Sequence, residues 1–232
     1  GVFLAGHFVL WIESLYLTTV ASASILVASS PILLAVLSFL FLRERLTWPV
    51  VVAIVCGVAG AVIMSAGDNA SGASDAPNPM LGNALAATAT LLFSLYFLLG
   101  RVVRQKVDWL AYVFPVYLVV AATTTTIAVL RGVPMFGYPP HIYLLCLGMA
   151  VGPQIIGHGA FSFGVRYFSA TLLGLLGLTE PLGATVLAYF LFGETPAAMS
   201  LLGMFVVLVS VAVALVLSRR KPAVGSTPVR VD

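Results

Sequence analysis

The sequence predicts an all-α membrane protein, a multi-pass helical bundle with eight transmembrane helices. Three observations lead there. Hydrophobic residues make up 61% of the 232-residue chain and charged residues only 8%, against about 25% charged residues in a soluble domain. A soluble protein this apolar has too few polar side chains to cover its surface, so lipid is the solvent for most of the chain. The apolar residues also fall into runs of roughly 17–25, the length at which a helix rising about 1.5 Å per residue crosses a hydrocarbon core. Finally, two distant stretches of the chain repeat one another.

The eight runs are 1–17, 20–42, 47–66, 81–102, 109–130, 141–165, 169–192 and 197–218. The first opens with Gly1 in mid-helix, without an initiator Met, a basic n-region or a cleavage site. It is therefore expected to be a helix whose N-terminal context is missing, and not a signal peptide. The second carries Ser29-Ser30-Pro31, and the third carries G-V-x-G-A-V (57–62). The polar, Gly- and Pro-rich stretch GDNASGASDAPNPM (67–80) is a linker. The fourth run places Asn83, Thr90, Ser94 and Phe97 on one stripe, and the fifth ends in four threonines (123–126) expected to pack. The sixth holds Gln154 and His158, the seventh Glu180-Pro181, and the eighth precedes a basic tail (219–232). Cys56 and Cys146 lie inside separate apolar runs and read as small core residues, without a disulfide or metal site.

Orientation follows from Lys and Arg. With Gly1 in the cytoplasm and helices alternating, Arg43, Arg45, Arg101, Arg104, Lys106, Arg166, Arg219, Arg220, Lys221 and Arg230 fall inside. Of the 11 basic residues only Arg131 falls outside. The basic residues are thus topology signals first, and the formal charge of +3 needs no nucleic-acid partner. The expected location is the cell (inner or plasma) membrane, with the C-terminus cytoplasmic.

SSPILLAVLSFLFLRERL (29–46) parallels TEPLGATVLAYFLFGETP (179–196), so that Pro31 matches Pro181 and Glu44 matches Glu194. Upstream, GHFVLWIESLYLTTVASASIL parallels GHGAFSFGVRYFSATLLGLL, with His7 matching His158. The second copy lies five helices further on. Five is odd, so the copies cross the membrane in opposite directions. Inverted repeats are the usual plan of secondary transporters, with the substrate near the midplane between them. The second repeat (81–218) has two helices before its Gly-His segment, whereas the first (1–66) has none. The expectation is a truncated version of a five-plus-five, ten-helix fold.

On these residues the chain resembles the EamA family of the drug/metabolite transporter superfamily. The stretch 29–46 with G-V-x-G-A-V (57–62) is similar to its first repeat. Q-x-x-G-H (154–158) and E-P-L-G-A-T-V-L-A-Y-F-L-F-G-E (180–194) are similar to its second. Arg-Glu-Arg at 43–45, where the family has Gly-Glu-Arg, is a small departure. The resemblance covers nearly the whole chain. It implies a permease with cytoplasmic termini that often exports amino acids or other small metabolites.

The residues themselves suggest where a substrate binds. An ionisable group at mid-membrane costs at least about 2.5–3.5 kcal/mol and so normally faces a cavity or a partner. His158 lies about ten residues before the turn near Phe168 and Ser169, and Glu180 about eleven after it. Both are then roughly 16 Å deep, and they are expected to meet in a polar cavity with Gln154 and Phe161. The first repeat supplies His7, Trp11 and Ser14 at helical spacing, together with Ser29 and Ser30, on the facing wall. Its hydroxyls alternatively bond back to helix carbonyls. Asn83, Thr90 and Ser94 form a third wall. Pro31 and Pro181 are helix kinks. Glu13 points away from the His7 face, toward another helix or an outer vestibule. No nucleotide-binding loop, protease motif or cofactor motif occurs. A secondary transporter is therefore expected, with a scaffold or a channel as the alternatives; its partners are a small-molecule substrate and membrane lipid, and a homodimer is compatible with the pattern. The intramembrane runs offer no Lys or Arg to clamp a phosphate, so neutral or zwitterionic solutes fit better.

Overall fold

The computed structural model describes residues 1–44, 47–69, 77–193, 195 and 197–219, and all elements among them are helical. All eight apolar runs form helices, several of them in pieces. These are α1 (Val2–Leu15), α2 (Val20–Ala28), α3 (Ser30–Leu42), α4 (Trp48–Asn69), α5 (Pro79–Val103), α6 (Trp109–Leu130) and α7 (Pro140–Met149). A π-helical segment (Ala150–His158) follows, then α8 (Gly159–Gly164), α9 (Ala170–Gly177), α10 (Glu180–Phe192) and α11 (Ala198–Arg219). Among the described residues five stretches are long and apolar enough to cross a bilayer: Ser22–Leu42, Pro79–Val103, Trp109–Leu130, Pro140–Gly164 and Ala198–Val216. Most of the 67–80 linker, Glu194, Arg45 and the tail from Arg220 lie outside the described residues, as does the side chain of Pro181.

Proline explains the breaks before α3 and α10, although α6 continues through Pro115. Proline lacks the N–H that would close onto the carbonyl four residues earlier, and its ring crowds that carbonyl. Pro31 sits in the first turn of α3, and the chain before it tightens, with the Ser29 N–H reaching both Ile25 O and Leu26 O at 3.1 Å. Before Pro181, the N–H groups of Leu178 and Thr179 fall back to Leu175 O and Leu176 O at 3.1 and 3.0 Å. The two breaks thus lie just before the matched prolines. Pro153 has a different effect: with Gly152 and Gly157 beside it, the backbone widens into a π-helix instead of an α-helical kink. The sequence reading of 141–165 as one plain α-helix is corrected at this point.

Packing divides the bundle into two cores. In one, α4 lies along α11 with α9 and α3 across them, and small residues (Ala53, Ala61, Ala214, Gly57) let the backbones approach. A Cβ on Gly60 would stand 2.9 Å from Gly203 O and 3.0 Å from Val207 N. The other core joins α1, α5, α6 and α8 through Tyr96, Phe97, Tyr112 and Leu4. Helices α3 and α9 form the wall between the cores. They meet where Gly174 faces Leu34 and Pro31, at 2.5 and 3.5 Å from the position of a Cβ. Outward-pointing residues are large and apolar, Phe190 being 77% exposed, as expected where the surrounding solvent is lipid.

The stretch 140–157 has no buried side chain at all. By contrast, α1, its counterpart in the sequence repeat, is packed by α5 and α6.

The two environments give opposite outcomes for one substitution. Gly60→Ala should lower the melting temperature in detergent, by an overpacking cost of about 1–3 kcal/mol, because backbone atoms must move. Gly148→Ala, where nothing lies within 4 Å, should leave it unchanged or raise it, since Ala favours a helix by about 1 kcal/mol over Gly. Equal melting temperatures for the two variants would contradict this packing.

Candidate functional site

Where α1, α5 and the π segment meet, rings gather around the two matched histidines. His7 stands 5.1 Å from Phe93 and 5.4 Å from Phe8, centroid to centroid. His158 stands 5.3 Å from Phe8, 6.1 Å from Phe93 and 6.5 Å from Tyr96. Phe97 and Phe161 extend the cluster, edge to face at 5.6 Å. The structure therefore brings His7, His158 and Phe161 into one aromatic neighbourhood.

The polar atoms of this neighbourhood divide into satisfied and unsatisfied. His7 Nδ1 lies 3.0 Å from Ala89 O. A carbonyl only accepts, so Nδ1 carries the proton, and in the neutral ring Nε2 is left as an acceptor. Tyr96 Oη and Ser162 Oγ share a bond of 2.9 Å, Tyr117 Oη donates to Gln154 O at 2.8 Å, and Trp109 Nε1 donates to Gly159 O at 3.0 Å. These last two bonds hold the π segment and α8 onto α6. In contrast, Trp11 Nε1 and His158 Nδ1 are buried without a partner. A buried donor or acceptor left unpaired costs about 1–3 kcal/mol.

Several expected wall residues are already engaged. Ser29 Oγ donates to Leu26 O at 2.5 Å, Thr90 Oγ1 to Ala86 O and Ser94 Oγ to Thr90 O at 2.8 Å each. These are bonds back to their own helices. Asn83 accepts from Thr18 Oγ1 at 2.8 Å, where Asn78 N also reaches Leu17 O, far from the aromatic cluster. Ser30 is buried. Ser14 Oγ donates to Trp11 O at 2.6 Å.

Glu180 does not meet His158. It is exposed at the start of α10 and, among the described residues, makes no hydrogen bond or ion pair. The physical reason is azimuth. Counting residues from a shared turn sets depth, not direction; His158 turns toward α1 and α5, while Glu180 turns outward. Among the described residues nothing lies within 4 Å of the Cβ position of Gly183, one turn on. Gly177, one turn earlier, faces Phe161 at 3.9 Å and links the helix break to the ring cluster. Glu13 contacts another helix, pairing with Arg131 beyond the end of α6.

The end of the bundle carrying Arg43, Arg101, Arg104 and Arg166, here called the basic end, holds a clamp that the sequence reading missed. Arg104 is 1% exposed; its Nε donates to Ser162 O at 3.0 Å and its Nη1 to Val107 O. Arg101 Nη1 donates to Val165 O at 2.7 Å and Arg166 O at 3.1 Å, and its Nε lies 3.7 Å from Glu44. Gln105 adds a bond of 3.3 Å to Arg166 O, and Arg166 pairs with Asp108 at 3.8 Å. These donors cap the carbonyls left open where α8 ends. The spacing of Arg101, Arg104 and Gln105 at i, i+3 and i+4 was the available signal. Phe8, Phe93 and Tyr96 were missed as well; Phe93 and Phe97 stand at i and i+4 on α5.

Comparison with known proteins gives consistent results. The sequence profile of the EamA-like transporter family matches residues 1–66 and 80–216. An uncharacterized transporter of Archaeoglobus fulgidus is 27% identical over 205 residues, covering 88% of this chain and 70% of that protein. A protein of known crystal structure superposes with a TM-score of 0.80 at 24% identity, over 94% of this chain and 77% of its own.

The satisfied and unsatisfied imidazoles predict contrasting variants. His7→Leu should destabilise the unliganded protein by about 0.5–1.5 kcal/mol through loss of its carbonyl bond. His158→Leu, which removes an orphaned nitrogen, should be neutral or stabilising. Denaturant titration in detergent tests both, and a larger loss for His158→Leu would refute the assignment.

Proposed function

Because the chain belongs to the EamA-like transporter family, we propose that this membrane transporter moves small organic metabolites, amino acids among them, by alternating exposure of a mid-membrane site. The observation that carries the reading is Glu180. A carboxylate about halfway through the bilayer cannot stably face lipid, and this one is exposed with no partner among the described residues. A solute-accessible cavity meets that requirement. The unpaired nitrogens of His158 and Trp11 and the two proline breaks, placed in corresponding positions of the two halves, are further polar and irregular features that a transport site would use.

In this proposal the basic end is cytoplasmic, by the bias of Lys and Arg, and the membrane is the plasma membrane. The site lies between the two repeats, with His7, Trp11 and Ser30 on one side and Gln154, His158 and Phe161 on the other, and Glu180 facing away from the ring cluster across the break at Gly177. The exposed face of 140–157 corresponds in the repeat to the face of α1 that packs on α5 and α6. Phosphorylated solutes fit poorly, because the buried Arg104 is committed to carbonyls at the basic end.

Reconstitution of the full-length protein in proteoliposomes tests the reading. Flux of a labelled amino acid or amphipathic metabolite should saturate and be competed by unlabelled solute; linear flux indicates a channel, and none across a metabolite panel a scaffold. Glu180→Gln should lower transport tenfold or more while leaving the melting temperature unchanged, since the side chain has no bond to lose. Full transport per folded molecule in that variant would remove Glu180 from the site.

A further inference from the structure

We infer that Arg104 is the positioning residue of a seal at the basic end, holding α8 closed beneath the His158 cluster, and that α8 must release it for the site to open on that side. This rests on the transport reading above but concerns a residue outside the proposed site. Among the described residues no carboxylate pairs with Arg104; its Nε and Nη1 donate instead to the carbonyls of Ser162 and Val107. A buried cation is tolerable only while such bonds exist. Ser162 in turn holds Tyr96 through its hydroxyl, and Tyr96 lies against His158. A chain of contacts thus runs from Arg104 through Ser162 and Tyr96 to the imidazole.

The arrangement has two discrete states. If α8 moves away, Arg104 loses its Ser162 bond and must be hydrated instead, so partial withdrawal is the costliest position. Water then reaches the underside of the ring cluster. Arg101 adds a connection to the other repeat: it grips the carbonyls of Val165 and Arg166 while facing Glu44 beyond α3. That ion pair is partly exposed, and such pairs contribute only about 0–1 kcal/mol. The buried Arg104 is the member that determines closure.

Access to a buried cysteine reads this directly. Ser94, fully buried on α5, is replaced by Cys in a background with Cys56→Ala and Cys146→Ala. A charged, membrane-impermeant methanethiosulfonate reagent is then applied from either end in reconstituted vesicles. With Arg104 intact, labelling from the basic end should be slow. Arg104→Gln should accelerate it tenfold or more from that end only, and Arg104→Lys, which keeps a donor for Ser162 O, should restore most of the protection. Should Arg104→Gln fail to fold, Tyr96→Phe, which removes the Ser162 partner and leaves the arginine, should accelerate labelling in the same direction by a smaller factor. Unchanged labelling in the folded variants, or equal acceleration from both ends, would overturn the inference. No substrate is needed, so absent flux counts against the proposed function and unchanged labelling against the seal.

Discussion

In a bilayer, a backbone carbonyl or N–H that leaves its helix ladder has no water to turn to, and the protein must supply its partner. That constraint governs where this chain departs from regular helix. Each proline inside an apolar run releases a carbonyl. Near Pro31 and Pro181 the preceding turn tightens to recapture what it can. At Pro153 the helix widens, and Tyr117 donates to the carbonyl of the next residue, Gln154. Where α8 stops, two arginines and a glutamine from the end of α5 take up the open carbonyls. These irregular places are also where the polar side chains of interest stand. A fold that breaks its helices must bring donors to the breaks, and donors that are brought there can also serve a solute.

The two cores place different demands on the wall between them. On the α4–α11 side, backbone approaches backbone at Gly60 and Gly203, leaving little latitude for either helix to shift alone. On the α1–α5–α8 side, rings meet edge to face. Such contacts are held by shape and weak electrostatics, and they survive small rotations better than backbone contact does. The wall helices α3 and α9 touch both, through Leu34 and Leu173 on one side and Ala35, Leu172 and Leu175 on the other. Their breaks lie in this wall. A motion that used them as hinges would move the ring cluster more readily than the small-residue core.

Much of this was legible in the sequence, for reasons that also explain what was not. The length and apolarity of each run reflect the bilayer thickness, so all eight helical stretches and their approximate ends could be read. Pro31 and Pro181 gave two of the breaks because the missing N–H is a local property, whereas α6 continues through Pro115. The π segment was not legible: Gly152-Pro153 with Gly157 is compatible with a kink, a break or a widened turn, and packing against Tyr117 and Trp109 is a tertiary matter. His158 and Glu180 were placed at one depth by counting residues, but a count carries no direction, and their side chains diverge. The arginines of α5 were read as orientation signals. Arginines that orient a helix end and arginines that cap a neighbouring one look alike in sequence, and only burial distinguishes Arg104 from Arg43.

Ser30 and Glu180 show what the repeat retains and what it lets go. Both precede the matched proline at the start of a half-helix. Ser30 is buried among the helices of the bundle, and a hydroxyl there costs little. Glu180 occupies the equivalent place with a carboxylate and is exposed. Backbone geometry recurs because the break needs only proline and the residues before it. Side-chain chemistry is free to differ, because the break itself does not depend on it. An acid at one of two equivalent positions makes the two halves chemically unequal while their backbone geometry stays matched.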